Sequence, residues 1–79
     1  MNIEKIKELI MECVDELYEM FSIFVPYTEE QFIKLENETE YEYYTRLKND
    51  LIELLEKVDS CYNLWGVDPT WIENELKTV

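Results

Sequence analysis

Apolar residues recur every three or four positions in two long stretches of the chain. One series, in residues 39–66, predicts the buried face of a helix: Tyr44, Leu47, Leu51, Leu54, Val58, Cys61 and Trp65. Thr39 and Glu42 have the spacing of a capping box, and Gly66 is placed to end the helix in a left-handed conformation. We therefore expect a helix over about residues 40–65, with Tyr44 in the core.

The second series predicts a helix near the beginning of the chain, over about residues 3–24. Its members are Ile3, Ile6, Ile10, Cys13, Leu17, Met20 and Phe24, and the stripe is widened by Leu9, Val14, Tyr18 and Phe21. A stripe of this width is typical of a globular bundle rather than a two-stranded coiled coil. Pro26 should end the helix, because a proline disfavours helical geometry at the preceding residue.

Shorter helices are predicted on either side of the long second one. Thr28 and Gln31 have capping-box spacing, and Tyr27 and Phe32 occupy the positions of a hydrophobic staple, which favours a helix over 29–36. Polar residues then interrupt the apolar series and predict a bend at 37–39. One helix over 28–65 is the alternative, since no Gly or Pro lies between Tyr27 and Gly66. Asp68 and Pro69 predict a last short helix over 69–78.

These elements predict an all-α fold for residues 1–79 as a single acidic helical domain. Two long antiparallel helices, about 3–24 and 40–65, would be covered by two short ones, about 29–36 and 69–78. Aligning the long helices as a hairpin staggers Cys13 and Cys61 by about 9 Å along the axis. That separation exceeds the roughly 7 Å limit for a disulfide, so we expect both residues to remain thiols.

The excess of acidic over basic residues is the feature that bears most on function. Nineteen acidic residues against seven basic ones give a net charge of −12. This charge argues against direct binding to nucleic acid or anionic membranes and favours a basic partner. Acidic charge also keeps small proteins in solution, but a magnitude of about 2–8 is usually enough for that. The excess favours a role in recognition.

The residue types argue against catalysis. The chain has no histidine, one glycine and two cysteines, too few for a general-base histidine, a phosphate loop or a closed zinc site. Its carboxylates fall on polar faces, so we interpret the protein as a non-enzyme without cofactor or metal. The apolar run Met20–Val25 is too short to span a bilayer, and the first residues do not resemble a signal peptide. A cytoplasmic location is expected.

Two acidic surfaces are the candidate partner-binding sites. The first helix carries Glu8, Glu12, Asp15, Glu16 and Glu19; the bend carries Glu29, Glu30, Glu36, Glu38, Glu40 and Glu42, together with Tyr41 and Tyr43. Like charges three or four apart on a helix repel by roughly 0.2–0.5 kcal/mol per pair. The long second helix compensates with Glu42–Arg46 and Glu53–Lys57 spacings. Tyr43 is expected to point outward as a contact, whereas Tyr44 closes the core.

These features suggest a nucleic-acid mimic that occupies the basic channel of a nucleic-acid-handling protein. The chain is similar in size and charge to small phage-encoded inhibitors of restriction or CRISPR machinery. This similarity is one of overall composition only. Carboxylates four apart on a helix are separated by about 6 Å, whereas phosphates on one strand are about 3.4 Å apart. Mimicry would therefore need the first helix and the bend to act together.

Two alternatives remain open from the sequence. An immunity protein or antitoxin that neutralises a basic nuclease toxin needs the same acidic surface. A structural helical dimer or adaptor subunit would instead use apolar contacts, with Met20–Val25 as the contact segment. The sequence is compatible with a monomer or a homodimer.

Overall fold

The structure is a computed structural model that describes residues 2–66 and Asn74. Its helices are α1 (Ile3–Phe21) and α2 (Glu40–Leu64), and a 3₁₀ turn (Glu29–Phe32) lies between them. No strand occurs in the described part of the chain, which confirms the all-α class. The last helix predicted over 69–78 lies outside the described residues, apart from Asn74, which is helical.

The α2 helix follows the sequence prediction closely at both ends. The Thr39 hydroxyl accepts a hydrogen bond from the Glu42 N–H at 3.1 Å, and the Thr39 N–H donates to the Glu42 carboxylate at 3.3 Å. This reciprocal pair satisfies two backbone donors at the start of the helix. At the other end Gly66 has a φ of 75°, a left-handed conformation that glycine adopts without strain.

The α1 helix ends at Phe21, three residues before the predicted end. Ser22 adopts a left-handed conformation with a φ of 56°, and its N–H donates to the Tyr18 carbonyl at 3.0 Å. After it, side chains alternate between partly buried positions, Ile23 and Val25, and the exposed Phe24 between them. This period of two is that of an extended chain, and Pro26 favours extended geometry at Val25.

The predicted short helix over 29–36 is reduced to the single 3₁₀ turn. The staple contact is present, since the rings of Tyr27 and Phe32 lie 5.5 Å apart, and the Thr28 N–H donates to Gln31 Oε1 at 2.8 Å. Ile33 is already extended. Helix beyond this turn would have no buried face, because Ile33 and Leu35 are both exposed. The alternative of one helix over 28–65 is therefore also wrong.

The two long helices run in the same direction, so the predicted antiparallel hairpin is wrong. Near their beginnings, the Lys7 ammonium lies 5.9 Å from the centroid of the Tyr43 ring. Near their ends, the rings of Phe21 and Trp65 lie 4.5 Å apart. A short loop would have forced antiparallel neighbours. Residues 22–39, here called the connector, instead run back from the end of α1 to the beginning of α2.

Contacts along α2 trace the path of the connector. The Tyr27 hydroxyl donates to the Asp50 carboxylate at 2.9 Å. Burial, and then this hydrogen bond, raise the pKa of Tyr27. Further along the connector, the carbonyls of Gln31 and Ile33 accept hydrogen bonds from Arg46 at 3.0 and 3.1 Å. Later connector residues thus meet earlier α2 residues, and the connector lies antiparallel to the helix it leads into.

The core between α1 and α2 consists of hydrophobic residues, with no buried charge among the described residues. Its buried members are Ile6, Leu9, Ile10, Cys13, Leu17, Tyr43, Leu47, Leu51, Leu54, Leu55 and Val58. No disulfide joins Cys13 to Cys61, both of which are described. This agrees with the expected thiols, although the hairpin alignment behind that prediction does not apply. No helix among the described residues is long and apolar enough to cross a membrane.

Candidate functional site

A row of exposed carboxylates lies on the outer face of α1: Glu8, Glu12, Asp15 and Glu19. The helical spacing places them away from the buried positions of the same helix. Within residues 2–66, two ion pairs join described residues: Lys7 with Glu4 at 3.5 Å, and Arg46 with Glu38 at 2.9 Å. Neither pair includes a member of the row, so the negative charge there is not offset by a neighbouring cation in these pairs.

Glu16, the remaining predicted contact on α1, serves the contact between the helices instead. It is partly buried, and its carboxylate accepts a hydrogen bond from the Tyr62 hydroxyl on α2. That hydrogen bond, followed by burial, raises the pKa of Tyr62 to about 12. Glu16 is therefore committed to holding the ends of α1 and α2 together.

Glu38, in the bend, is also committed to the fold. Arg46 donates to both of its carboxylate oxygens, at 2.9 and 3.1 Å, and the Leu35 N–H donates to it at 3.2 Å. The hydrogen bond from Arg46 is the main reason that the pKa of Glu38 is lowered. Arg46 was expected to pair with Glu42, which instead caps the start of α2.

Tyr43 is buried, and its prediction as an outward contact is wrong. Only 7% of the residue is exposed, and its hydroxyl donates to the Phe32 carbonyl. The Arg46 guanidinium lies 5.4 Å from the Tyr43 ring centroid. The apolar series in α2 also fits Tyr43, one position before Tyr44, and spacing alone does not separate them. Tyr44 is partly buried and packs against the core.

Together, Arg46, Tyr43 and Glu38 fasten the connector to α2, and we call these three residues the clasp. Their hydrogen bonds reach the carbonyls of Gln31, Phe32 and Ile33. Sequence reasoning missed the clasp because its partners are backbone groups of an irregular segment. The candidate contacts around the bend that remain exposed are Glu29, Glu30, Glu36, Glu40, Tyr41 and Glu42.

A groove lies between α1 and the connector and is here called the α1 groove. One end, about 600 Å³ in volume, has Met11 and Phe32 in its lining, with Lys7 and four acidic residues around them: Glu8, Glu12, Asp15 and Glu29. The other end, about 400 Å³, is lined chiefly by apolar residues, including Val14, Tyr18, Phe24 and Val25. Asp15 lines both ends, so the two concavities adjoin.

The carboxylates of the described residues lie at the surface. Each described carboxylate is at least partly exposed, because no polar or charged residue is buried in this part of the chain. An acid–base pair with separated pKa values usually relies on burial of one partner. Among the residues described, no group of three or more His, Cys, Asp or Glu side chains is arranged to hold a metal ion.

Comparison with protein-family models, curated proteins and solved structures found no significant match for this chain. Functional inference therefore depends on the surface itself.

Proposed function

We propose that this chain is a non-enzymatic acidic binding protein that occupies the basic, nucleic-acid-binding surface of another protein. The observation that carries the proposal is the exposed row on α1, which takes part in neither ion pair between described residues and lies beside a groove that also exposes Met11 and Phe32; the row is Glu8, Glu12, Asp15 and Glu19. A cytoplasmic location and inhibition of the partner belong to the same proposal.

Repulsion within the row is expected to reduce the stability of the isolated protein. Neighbouring carboxylates at three- and four-residue spacing repel by roughly 0.2–0.5 kcal/mol per pair. The core of the described chain is apolar and does not use these groups. A feature that works against folding in this way is a reasonable candidate for function. A basic partner would relieve the repulsion, and long-range attraction would accelerate its association.

The path of the connector supports an array of charge rather than a single stripe. Glu29 on the 3₁₀ turn lines the same concavity as Glu8, Glu12 and Asp15. Glu29 therefore adds a carboxylate beside the row, whose own members rise by roughly 6 Å for each four-residue step along the helix. We therefore assign the binding face to α1 and the 3₁₀ turn. Glu38 and Glu42 are engaged within the fold.

Capture of the partner from a host lysate tests the proposal. The tagged protein is incubated with lysate at low and at high salt, and the retained protein is identified. We expect a basic nucleic-acid-binding protein that is retained better at low salt and releases its nucleic acid when this chain is added. A variant with Glu8→Gln, Glu12→Gln, Asp15→Asn and Glu19→Gln serves as the control. A salt-insensitive partner that does not bind nucleic acid would contradict the proposal.

The protein itself should not bind DNA or RNA at physiological salt. Its net charge of −12 opposes association with phosphates, whose binding depends on Lys and Arg. A mobility-shift experiment with purified protein at micromolar concentration checks this expectation. A clear shift would remove the mimic hypothesis.

The biological role of such an inhibitor has two forms that use the same surface. One is counter-defence of the anti-CRISPR or anti-restriction type, encoded by a phage. The other is an immunity protein or antitoxin that neutralises a nuclease toxin. Identification of the captured partner, together with the genes beside this one, distinguishes the two.

A second candidate function is a helical dimer or adaptor subunit. Three apolar residues near the end of α1 favour it, because Phe24 is 75% exposed, Tyr18 61% and Met20 50%. Sedimentation equilibrium of the wild-type protein and of Phe24→Ala tests this candidate. A dimer that dissociates in the variant would support it, and a monomer at all concentrations would reject self-association.

A further inference from the structure

We propose that the α1 groove is the docking site for one basic amphipathic helix of the partner protein. This inference rests on the proposed function and makes its partner specific. The docked helix would place an apolar face on the floor of the groove and Lys or Arg residues against its acidic rim. Recognition of a helix in a groove uses apolar anchors three and four residues apart.

The floor and the rim of the groove offer both kinds of contact. Met11 and Phe32 lie in the lining at one end, and Val14 and Val25 at the other. Each is only partly buried in the chain as described, so each would gain burial under a docked helix. The rim carries Glu8, Glu12 and Asp15, with one cation, Lys7, on one side and Glu29 on the other, so its described charge is negative on balance. A basic helix with one apolar face would match both features.

The length of the groove matches a short helix. Lys7 and Tyr18 line its two ends, and their positions on α1 are separated by about 17 Å along the helix axis. Three turns of a docked helix occupy about 16 Å. Tyr18 and Phe24, both largely exposed, stand at the apolar end, where they would contact the last apolar residues of such a helix.

Net charge favours a basic partner over a second copy of this chain or another acidic segment. A second copy of this chain carries a net charge of −12 and would be repelled by the rim. Residues 67–79 carry Asp68, Glu73 and Glu75 against Lys77, a net charge of 1 − 3 = −2, which also opposes the rim. A helix rich in Lys or Arg complements the groove in both charge and apolar surface.

Calorimetry and NMR with synthetic peptides test the inference on the full chain. The probe is a helical peptide with Leu along one face and Lys along its flanks. One comparison peptide has the same composition in scrambled order, and another has Glu in place of Lys. We expect the amphipathic peptide to bind at least about tenfold more tightly than the scrambled one. Amide shifts should be concentrated at residues 7–18 and 24–32, and the Glu peptide should not bind.

Variants of exposed residues identify the contact surface. Phe24→Ala and Tyr18→Ala should weaken peptide binding by about tenfold each, because they remove apolar contact area at the groove. Leu35→Ala and Tyr41→Ala are the matched controls; these residues are 61% and 69% exposed and lie outside the groove lining. Their affinities should equal that of the wild type. Circular dichroism checks that each variant retains its helix content.

The outcomes separate this inference from the proposed function. Equal binding of the scrambled and amphipathic peptides, or amide shifts centred on the start of α2, would overturn the groove assignment. Salt-dependent capture of a basic partner would then still support the broader proposal. Occupation of the groove by a second copy, shown by sedimentation and by dimer-dependent shifts at 7–18, would also overturn it. Failure of both peptide binding and salt-dependent capture would contradict the proposed function.

Discussion

The exposed acidic row on α1 and the two engaged carboxylates of the bend, Glu38 and Glu42, have the same chemistry but different roles. Glu8 and Glu12 on α1 are exposed and take part in neither of the ion pairs that join described residues. In the bend, Glu38 binds Arg46 and the Leu35 N–H, and Glu42 caps α2. The row on α1 contributes negative electrostatic potential and exposed surface, whereas Glu38 and Glu42 accept hydrogen bonds from backbone and side-chain donors.

This difference shows that charge density alone does not identify a binding surface. The bend is as acidic in sequence as α1, but part of its charge satisfies groups that the fold leaves without partners. A carboxylate three residues into a helix can cap it. A guanidinium nearby binds a carboxylate with two parallel hydrogen bonds. Such carboxylates are less available to a partner protein. The following predictions test whether the engaged carboxylates stabilise the fold and the exposed ones do not.

The largest effect should come from removing the centre of the clasp. Arg46→Met keeps an apolar stem but removes the hydrogen bonds to Glu38, Gln31 and Ile33. Hydrogen bonds to charged groups contribute about 1.5–3 kcal/mol, so we expect a loss of about 2 kcal/mol in the free energy of unfolding. Urea denaturation measures it. Lys57→Met, at an exposed position of α2, is the control, and an equal loss in both variants would contradict the role of the clasp.

A smaller loss is expected when only the Tyr43 hydroxyl is removed. Tyr43→Phe retains the buried ring and deletes the hydrogen bond to the Phe32 carbonyl. The expected cost is about 1 kcal/mol in the free energy of unfolding. Tyr41→Phe is the matched control, because the Tyr41 side chain is 69% exposed and should lose little. If both substitutions have the same effect in urea denaturation, Tyr43 does not fasten the connector.

The contribution of Glu38 should depend on pH in a defined direction. Arg46 lowers the pKa of Glu38 in the folded protein below its ordinary value of 4.5. The contact therefore contributes fully above that value and is lost as the pH falls through the lowered pKa. The difference in unfolding free energy between wild type and Glu38→Gln should be constant near neutral pH and shrink below pH 4.5. A difference that grows on acidification would contradict the ion pair.

Local chain signals were enough to predict α2 and the fold class. Thr39 and Glu42 bind each other, and Gly66 ends the helix through its own backbone conformation. Such interactions join residues that are close in sequence, so a local pattern is enough to predict them. The predicted end of α1 was three residues too late, because the helical spacing of apolar residues continues to Phe24. The left-handed conformation of Ser22, which ends the helix, has no signal in that spacing. The relative direction of the helices depends on the path of the connector, and no local pattern specifies that path.

The candidate site was predicted in part for the same reason. The exposed row on α1 follows from helical periodicity, so Glu8 and Glu12 could be assigned from sequence. The α1 groove and the clasp require the connector to lie against the helices. Tyr43 was misassigned because two adjacent tyrosines both fit the apolar series, and the contacts with Phe32 and Arg46 decide between them.

The exposed row on α1 should not be needed for folding, whereas Glu38 and Glu42 of the bend should be. Two variants with equal loss of charge test it: Glu8→Gln, Glu12→Gln, Asp15→Asn and Glu19→Gln on α1, and Glu36→Gln, Glu38→Gln, Glu40→Gln and Glu42→Gln at the bend. The urea midpoint of each is compared with that of the wild type. We expect the α1 variant to unfold at the same or a higher midpoint, since relief of repulsion contributes about 0.2–0.5 kcal/mol per pair. The bend variant should unfold at a lower midpoint. An α1 variant destabilised as much as the bend variant would contradict the account.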